Sequence, residues 1–148
     1  MADAGMVNLG QLVRERHEPD DVVLVGFGSY EGSVIAGRHW GAQMERMRVP
    51  PARPGSYEHA FHEAGQRDKL LIMPRSLDAG PLSRQRGHRA IGVVYRPEHE
   101  SYGNYVPTVL PERYDAFLYI DRTEALHPLH MEPVSARSGE LETYPTGV

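Results

Sequence analysis

There is no cysteine among the 148 residues, which excludes disulfides and thiolate metal sites. No apolar run approaches the ~20 residues that a membrane-spanning helix needs. The opening Met1-Ala2-Asp3-Ala4-Gly5 lacks the basic and apolar pattern of a secretion signal. Basic charge is scarce as well: 16 Lys and Arg stand against 20 Asp and Glu, a formal charge of −4. Nucleic acids and anionic membranes both call for basic clusters, so neither is expected as the main partner. The densest basic run, Arg84 to Arg89 with His88, reads as a solvated loop rather than a phosphate site. Apolar content is 40%, below the usual range of about 45–50%, which also counts glycine. Twelve prolines and fifteen glycines add turns. The expectation is a soluble, loop-rich single domain with a cytoplasmic setting.

What is present reads as strands with few helices. Leu9, Leu12 and Val13 recur at helical spacing behind Asn8, a candidate N-cap. Val22-Val23-Leu24-Val25 reads as a strand buried on both faces. A glycine-rich loop, Gly26 to Gly32, follows it. A helix is expected from about Tyr57 to Ala64, with Ser56 as N-cap and Gly65 as its stop. Lys69–Met73, Ala90–Tyr95 and Asp115–Asp121 read as three further strands, and Pro111–Tyr114 as one helical turn. The sum is an α/β fold with a mostly parallel sheet and flanking helices. Two short helices cannot cover both faces of four apolar strands. The sheet is therefore expected to be an incomplete part of a larger three-layer α/β/α domain. The ordered portion is expected to span residues 1–130, with 131–148 as a disordered tail.

The motifs do not assemble an active site. Glu31 stands where a dinucleotide fingerprint needs its last glycine, and Phe27 and Glu31 stand where a nucleophile elbow around Ser29 needs two. His59 and His62 are three apart, and Ala60 follows His59, so the zincin pattern fails. With Glu58 and Glu63 beside them they read as a helix face, the alternative being a hydrolytic set of His59, His62 and Glu63. His127 and His130 read as surface residues. Asp121-Arg122-Thr123-Glu124 reads as a turn or capping cluster. Loops at the carboxyl ends of strands line ligand crevices in α/β sheets, which makes Phe27 to Gly32 the favoured cleft-facing segment. Phe27, Ser29 and Tyr30 are accordingly the first candidate substrate-binding residues, Tyr30 by stacking or hydrogen bonding; Tyr57 and Glu58 come next. No catalytic residue, cofactor or metal ligand is assigned.

The order of the blocks carries more information than any one of them. Asn8-Leu9-Gly10-Gln11-Leu12 precedes Val25-Gly26-Phe27-Gly28-Ser29-Tyr30-Glu31-Gly32-Ser33-Val34, then Val49-Pro50-Pro51 and Gly55-Ser56-Tyr57-Glu58. Ile91-Gly92-Val93-Val94-Tyr95-Arg96-Pro97-Glu98 leads through Asn104-Tyr105 to Tyr114-Asp115-Ala116, and Ile120-Asp121-Arg122-Thr123-Glu124-Ala125-Leu126 closes the series. From Val7 to Leu129 this succession resembles the C-terminal portion of the erythromycin esterase family, which includes succinoglycan biosynthesis proteins. The resemblance implies an α/β hydrolase-class enzyme that opens a macrolactone ester with activated water, and hence a response to macrolide antibiotics. It also implies that the apparatus lies in a G-E-x-x-H-G motif and an H-N-x-H motif. Neither occurs here: no His-Asn dipeptide exists, and Gly139-Glu140 runs into Leu141-Glu142. The resemblance further implies that Met1 corresponds to a methionine internal to the family's sequence. The expectation is a C-terminal fragment that is inactive alone, because no positioned base activates a water. A small-molecule ester would be bound only in a complete enzyme. The rival expectation is a non-catalytic module that docks on a partner chain, or associates with itself, through uncovered apolar surface.

Overall fold

The computed structural model describes residues 9–73 and 80–127. Asn8, the expected tail at 131–148 and His130 lie outside the described residues. The elements are α1 (Leu9–Arg16), β1 (Val25–Ala36), β2 (Glu45–Val49), α2 (Tyr57–Glu63), β3 (Lys69–Ile72), β4 (Arg86–Arg89), α3 (Glu100–Gly103), β5 (Tyr105–Thr108), α4 (Leu110–Arg113) and β6 (Ala116–Thr123). Four strands form a sheet in the order β2-β1-β6-β3, and β4 pairs with β5 in a separate ribbon. The fold is α/β, but the expected mostly parallel sheet is corrected. Among the described strands only β1 and β6 run parallel; β1 with β2, β3 with β6 and β4 with β5 are antiparallel.

The glycine-rich segment is strand rather than loop. Gly26 and Gly28 sit inside β1 because aromatic rings occupy the space where a side chain would stand. A Cβ on Gly26 would lie 2.6 Å from the Tyr114 ring, and one on Gly28 would lie 2.6 Å from the Phe117 ring. These glycines serve close packing rather than a turn. Gly32 differs: its φ of +143° is foreign to residues with a Cβ, which would also run into the Thr123 backbone.

Register explains which side is the core. Even-numbered β1 residues pair with Phe117 and Tyr119 of β6, and these in turn with Leu71 and Lys69 of β3. On that side α2 packs, and Tyr57, Phe61, Met73, Leu110, Phe117 and Tyr119 form one buried cluster. Ala36, Met47, Val49 and Tyr95 form a second under β2. The opposite side carries the rows Val25–Ala116–Ile72 and Phe27–Leu118–Leu70. Val25, Phe27, Leu70 and Ile72 are 45%, 62%, 63% and 71% exposed. The first strand was expected to be buried on both faces. Val22 alone of its run is buried and Val23 is exposed, and of the four residues only Val25 lies in a strand, as the first residue of β1.

The expected strand at Ala90–Tyr95 is also corrected. It makes a single bridge, Val94 to Gly37 just past the end of β1, while Arg86–Arg89 takes the ladder with β5. Elsewhere local chemistry was a sound guide. Ser56 caps α2 by accepting from the His59 amide at 3.2 Å, and Gly65 ends it with φ +137°. The Pro111 turn is α4. Among the described residues no helix is long and apolar enough to cross a membrane.

Candidate functional site

Helix α2 aims two residues one turn apart, Glu58 and His62, at the covered face of the sheet, and each meets the opposite member of a carboxylate–imidazole pair. Glu58 is fully buried. Its Oε1 accepts from His88 Nδ1 at 2.6 Å and from the Arg89 amide at 3.0 Å, while Oε2 has no partner among the described residues. With the proton on Nδ1, the His88 Nε2 accepts from the Tyr114 hydroxyl at 3.2 Å. Phe117 and Tyr114 present themselves edge-on to the His88 ring. This pair is closed to any substrate.

The second pair is more open. His62 Nδ1 lies 2.8 Å from Asp121 Oδ1, which also accepts from the Tyr119 hydroxyl at 2.6 Å. The imidazole stacks on Tyr30 with centroids 3.6 Å apart. Burial acts to raise the Asp121 pKa, but the Tyr119 and His62 hydrogen bonds and the charges of His62 and Lys69 outweigh it and hold it below the ordinary 3.8. Burial, followed by the neighbouring Asp121, drives the Tyr119 hydroxyl well above its ordinary value.

Arg89 organises the edge of β1 beyond the reach of β2. Its guanidinium donates to the carbonyls of Ser29, Tyr30 and Pro50 at 3.2, 2.9 and 2.9 Å, and lies 2.6 Å from Glu100 Oε1. The Tyr105 hydroxyl completes the set. Arg89 and His88 were expected in a solvated loop; both are buried instead, drawn in by Glu58 and Glu100. Asp121, expected at the end of the fourth strand and the start of a turn or capping cluster, lies within β6, which runs on to Thr123, and faces α2.

The expected substrate residues do not converge. Phe27 and Ser29 line an open groove of about 470 Å³ on the uncovered side, with Ile91, Ile120 and Leu126. Tyr30 packs toward α2 instead. Tyr57 is a core residue: its hydroxyl lies 2.9 and 2.7 Å from the Leu82 and Arg84 carbonyls and accepts from the Leu110 amide. Glu58 is sealed beneath α2. His59 is half-buried beside Tyr30 and Glu63 is exposed, so the alternative His59–His62–Glu63 set does not come together. Among the described residues no three His, Asp or Glu side chains are grouped as metal donors. The residues that sequence reasoning missed, His88, Arg89, Asp121 and Tyr119, act through partners on other elements, such as Glu58 for His88 and His62 for Asp121, apart from the local Tyr119–Asp121 contact. The i, i+4 relation of Glu58 to His62 was the signal that could have linked them.

The α/β fold of this chain is shared by two solved crystal structures. One is a succinoglycan biosynthesis protein, with a TM-score of 0.64 and 18% identity over 80% of this chain. The other is a protein from Bacillus cereus, with a TM-score of 0.61 and 14% identity over 77%. This chain spans 28% of the length of each. At the level of sequence, residues 1–123 match the erythromycin esterase family, and the chain belongs to it.

Proposed function

We propose that this chain is the C-terminal portion of an erythromycin-esterase-like hydrolase, and that residues 1–148 alone do not hydrolyse esters. Residues 1–130 supply a sheet and one wall of a cleft for a small ester or macrolactone in a complete enzyme, in a cytoplasmic setting. The observation that carries this reading is the segregation of acid–base groups from the groove. Both carboxylate–imidazole pairs turn toward α2, whereas the groove holding Phe27 and Ser29 is lined by no histidine among the described residues. Its carboxylate, Glu124, stands on the rim. Water activation needs a base within hydrogen-bond reach of the attacked bond. The family's G-E-x-x-H-G and H-N-x-H motifs, absent here, are where such a base belongs.

The test is hydrolysis of a macrolide lactone and of p-nitrophenyl acetate by the purified full chain. The expected rate equals that of buffer. Turnover that disappears in His62→Ala would overturn the reading. A second reading, a non-catalytic module docking on a partner, is favoured by the exposed Val25, Phe27, Leu70 and Ile72.

A further inference from the structure

The uncovered side of the sheet is chemically divided, and the division specifies what would cover it. Its first half, along Val25, Phe27 and Ser29 of β1, is paired with Ala116, Leu118 and Ile120 and is apolar. Farther along β1 on the same side, Glu31 stands opposite Arg122, Ser33 opposite Arg48 and Ile35 opposite Arg46. A groove of about 430 Å³ runs among these arginines and shares Ser33, Thr123 and Glu124 with the apolar groove, so the two are continuous. Arg122 is tied to Glu31 at 2.5 Å. Arg46 donates to Ser33 Oγ at 3.2 Å, and Arg48 has no partner among the described residues. Glu124 is exposed on the rim, which leaves Arg46 and Arg48 facing one uncommitted carboxylate.

We propose that this side docks an amphipathic helix of a protein partner, with its apolar stripe on the Val25, Phe27, Leu70 and Ile72 rows and its carboxylates on Arg46 and Arg48. The proposal rests on the reading that the chain works as part of a larger hydrolase. Helices are what cover the open faces of such sheets. Phe27 to Ile35 spans roughly 26 Å at ~3.3 Å per residue, the length of about 17 helical residues. More than two thirds of each related crystal structure lies outside the matching portion, so those proteins contain chain able to supply such a helix. The charge asymmetry selects acidic residues at one end of it. A second copy of this chain would present arginines to arginines if aligned in the same direction.

The experiment measures fluorescence anisotropy of an 18-residue peptide with a leucine stripe and glutamates at one end, titrated with the full chain. A twin peptide carries lysines in place of the glutamates. The glutamate peptide is expected to bind about tenfold tighter. Arg46→Glu/Arg48→Glu, both exposed, should reverse that preference while leaving circular dichroism and melting temperature unchanged. Phe27→Asp/Leu70→Asp should abolish binding of both peptides. Equal binding, no binding, or a preference that survives the charge reversal would overturn the proposal. So would tight binding to phosphatidylserine vesicles that the glutamate peptide fails to displace, or a dimer that it fails to dissociate. Esterase turnover by a chain that still prefers the glutamate peptide would instead sink the hydrolase-fragment reading and leave the docking site standing.

Discussion

The two sides of the β1–β6 sheet are built from similar strands and serve opposite purposes. Under α2 the side chains are packed and paired: Phe117 fills the space that Gly26 and Gly28 leave, and Glu58 and His62 hold His88 and Asp121. Across the backbone, one residue later in each strand, Phe27, Leu70 and Ile72 meet solvent. Strand alternation separates the two environments by a single residue. Apolar strand composition therefore does not reveal how many sides of a sheet are covered; the supply of helices does.

Substitutions on the covered side should show the largest losses. Phe117→Ala removes a ring with no exposure from the main core. It is expected to cost about 3–5 kcal/mol in chemical denaturation, and a loss under 1 kcal/mol would break the contrast. Arg89→Ala leaves Glu100 as an uncompensated buried charge and frees three carbonyls. An expected cost of about 3–5 kcal/mol, read in the same way, marks the edge of β1 as rigid. Gly28→Ala would press a methyl against the Phe117 ring and, at 3.2 Å, Glu58 Oε1. Overpacking of this kind costs about 1–3 kcal/mol, and its melting temperature should fall accordingly.

The Asp121 pair sharpens the comparison through pH. Its pKa is depressed in the folded chain, so its stabilising contribution is full above the unfolded value of 3.8 and is lost as the pH falls through the lower folded value. Asp121→Asn should therefore flatten the acid limb of a stability–pH curve while sparing the His88–Glu58 pair. An acid limb identical to the parent's would show that Asp121 contributes nothing to it.

Much of this was legible from the chain. Ser56 and Gly65 marked the ends of α2, and the apolar runs marked β3 and β6, because caps and strand composition act locally. The shortage of helices forecast an open sheet side. Gly26 and Gly28 misled, since their reason lies in Tyr114 and Phe117, about 90 positions away. Arg86–Arg89 gave no apolar signal; its burial depends on Glu58 and Glu100, which only the fold brings near. The family blocks were read correctly, but which side of the sheet each side chain faces was not. Phe27 and Ser29 reached the groove, whereas Tyr30 and Glu58 went to the other side.

The most direct test of the one-sided sheet is chemical denaturation of Phe27→Ser/Leu70→Ser, two apolar residues in one cross-strand row. Because both already meet solvent, the unfolding free energy is expected to stay within about 0.5 kcal/mol of the parent. A loss of about 3 kcal/mol or more, the magnitude of a core truncation, would show that the chain covers this side itself and that the sheet is not one-sided.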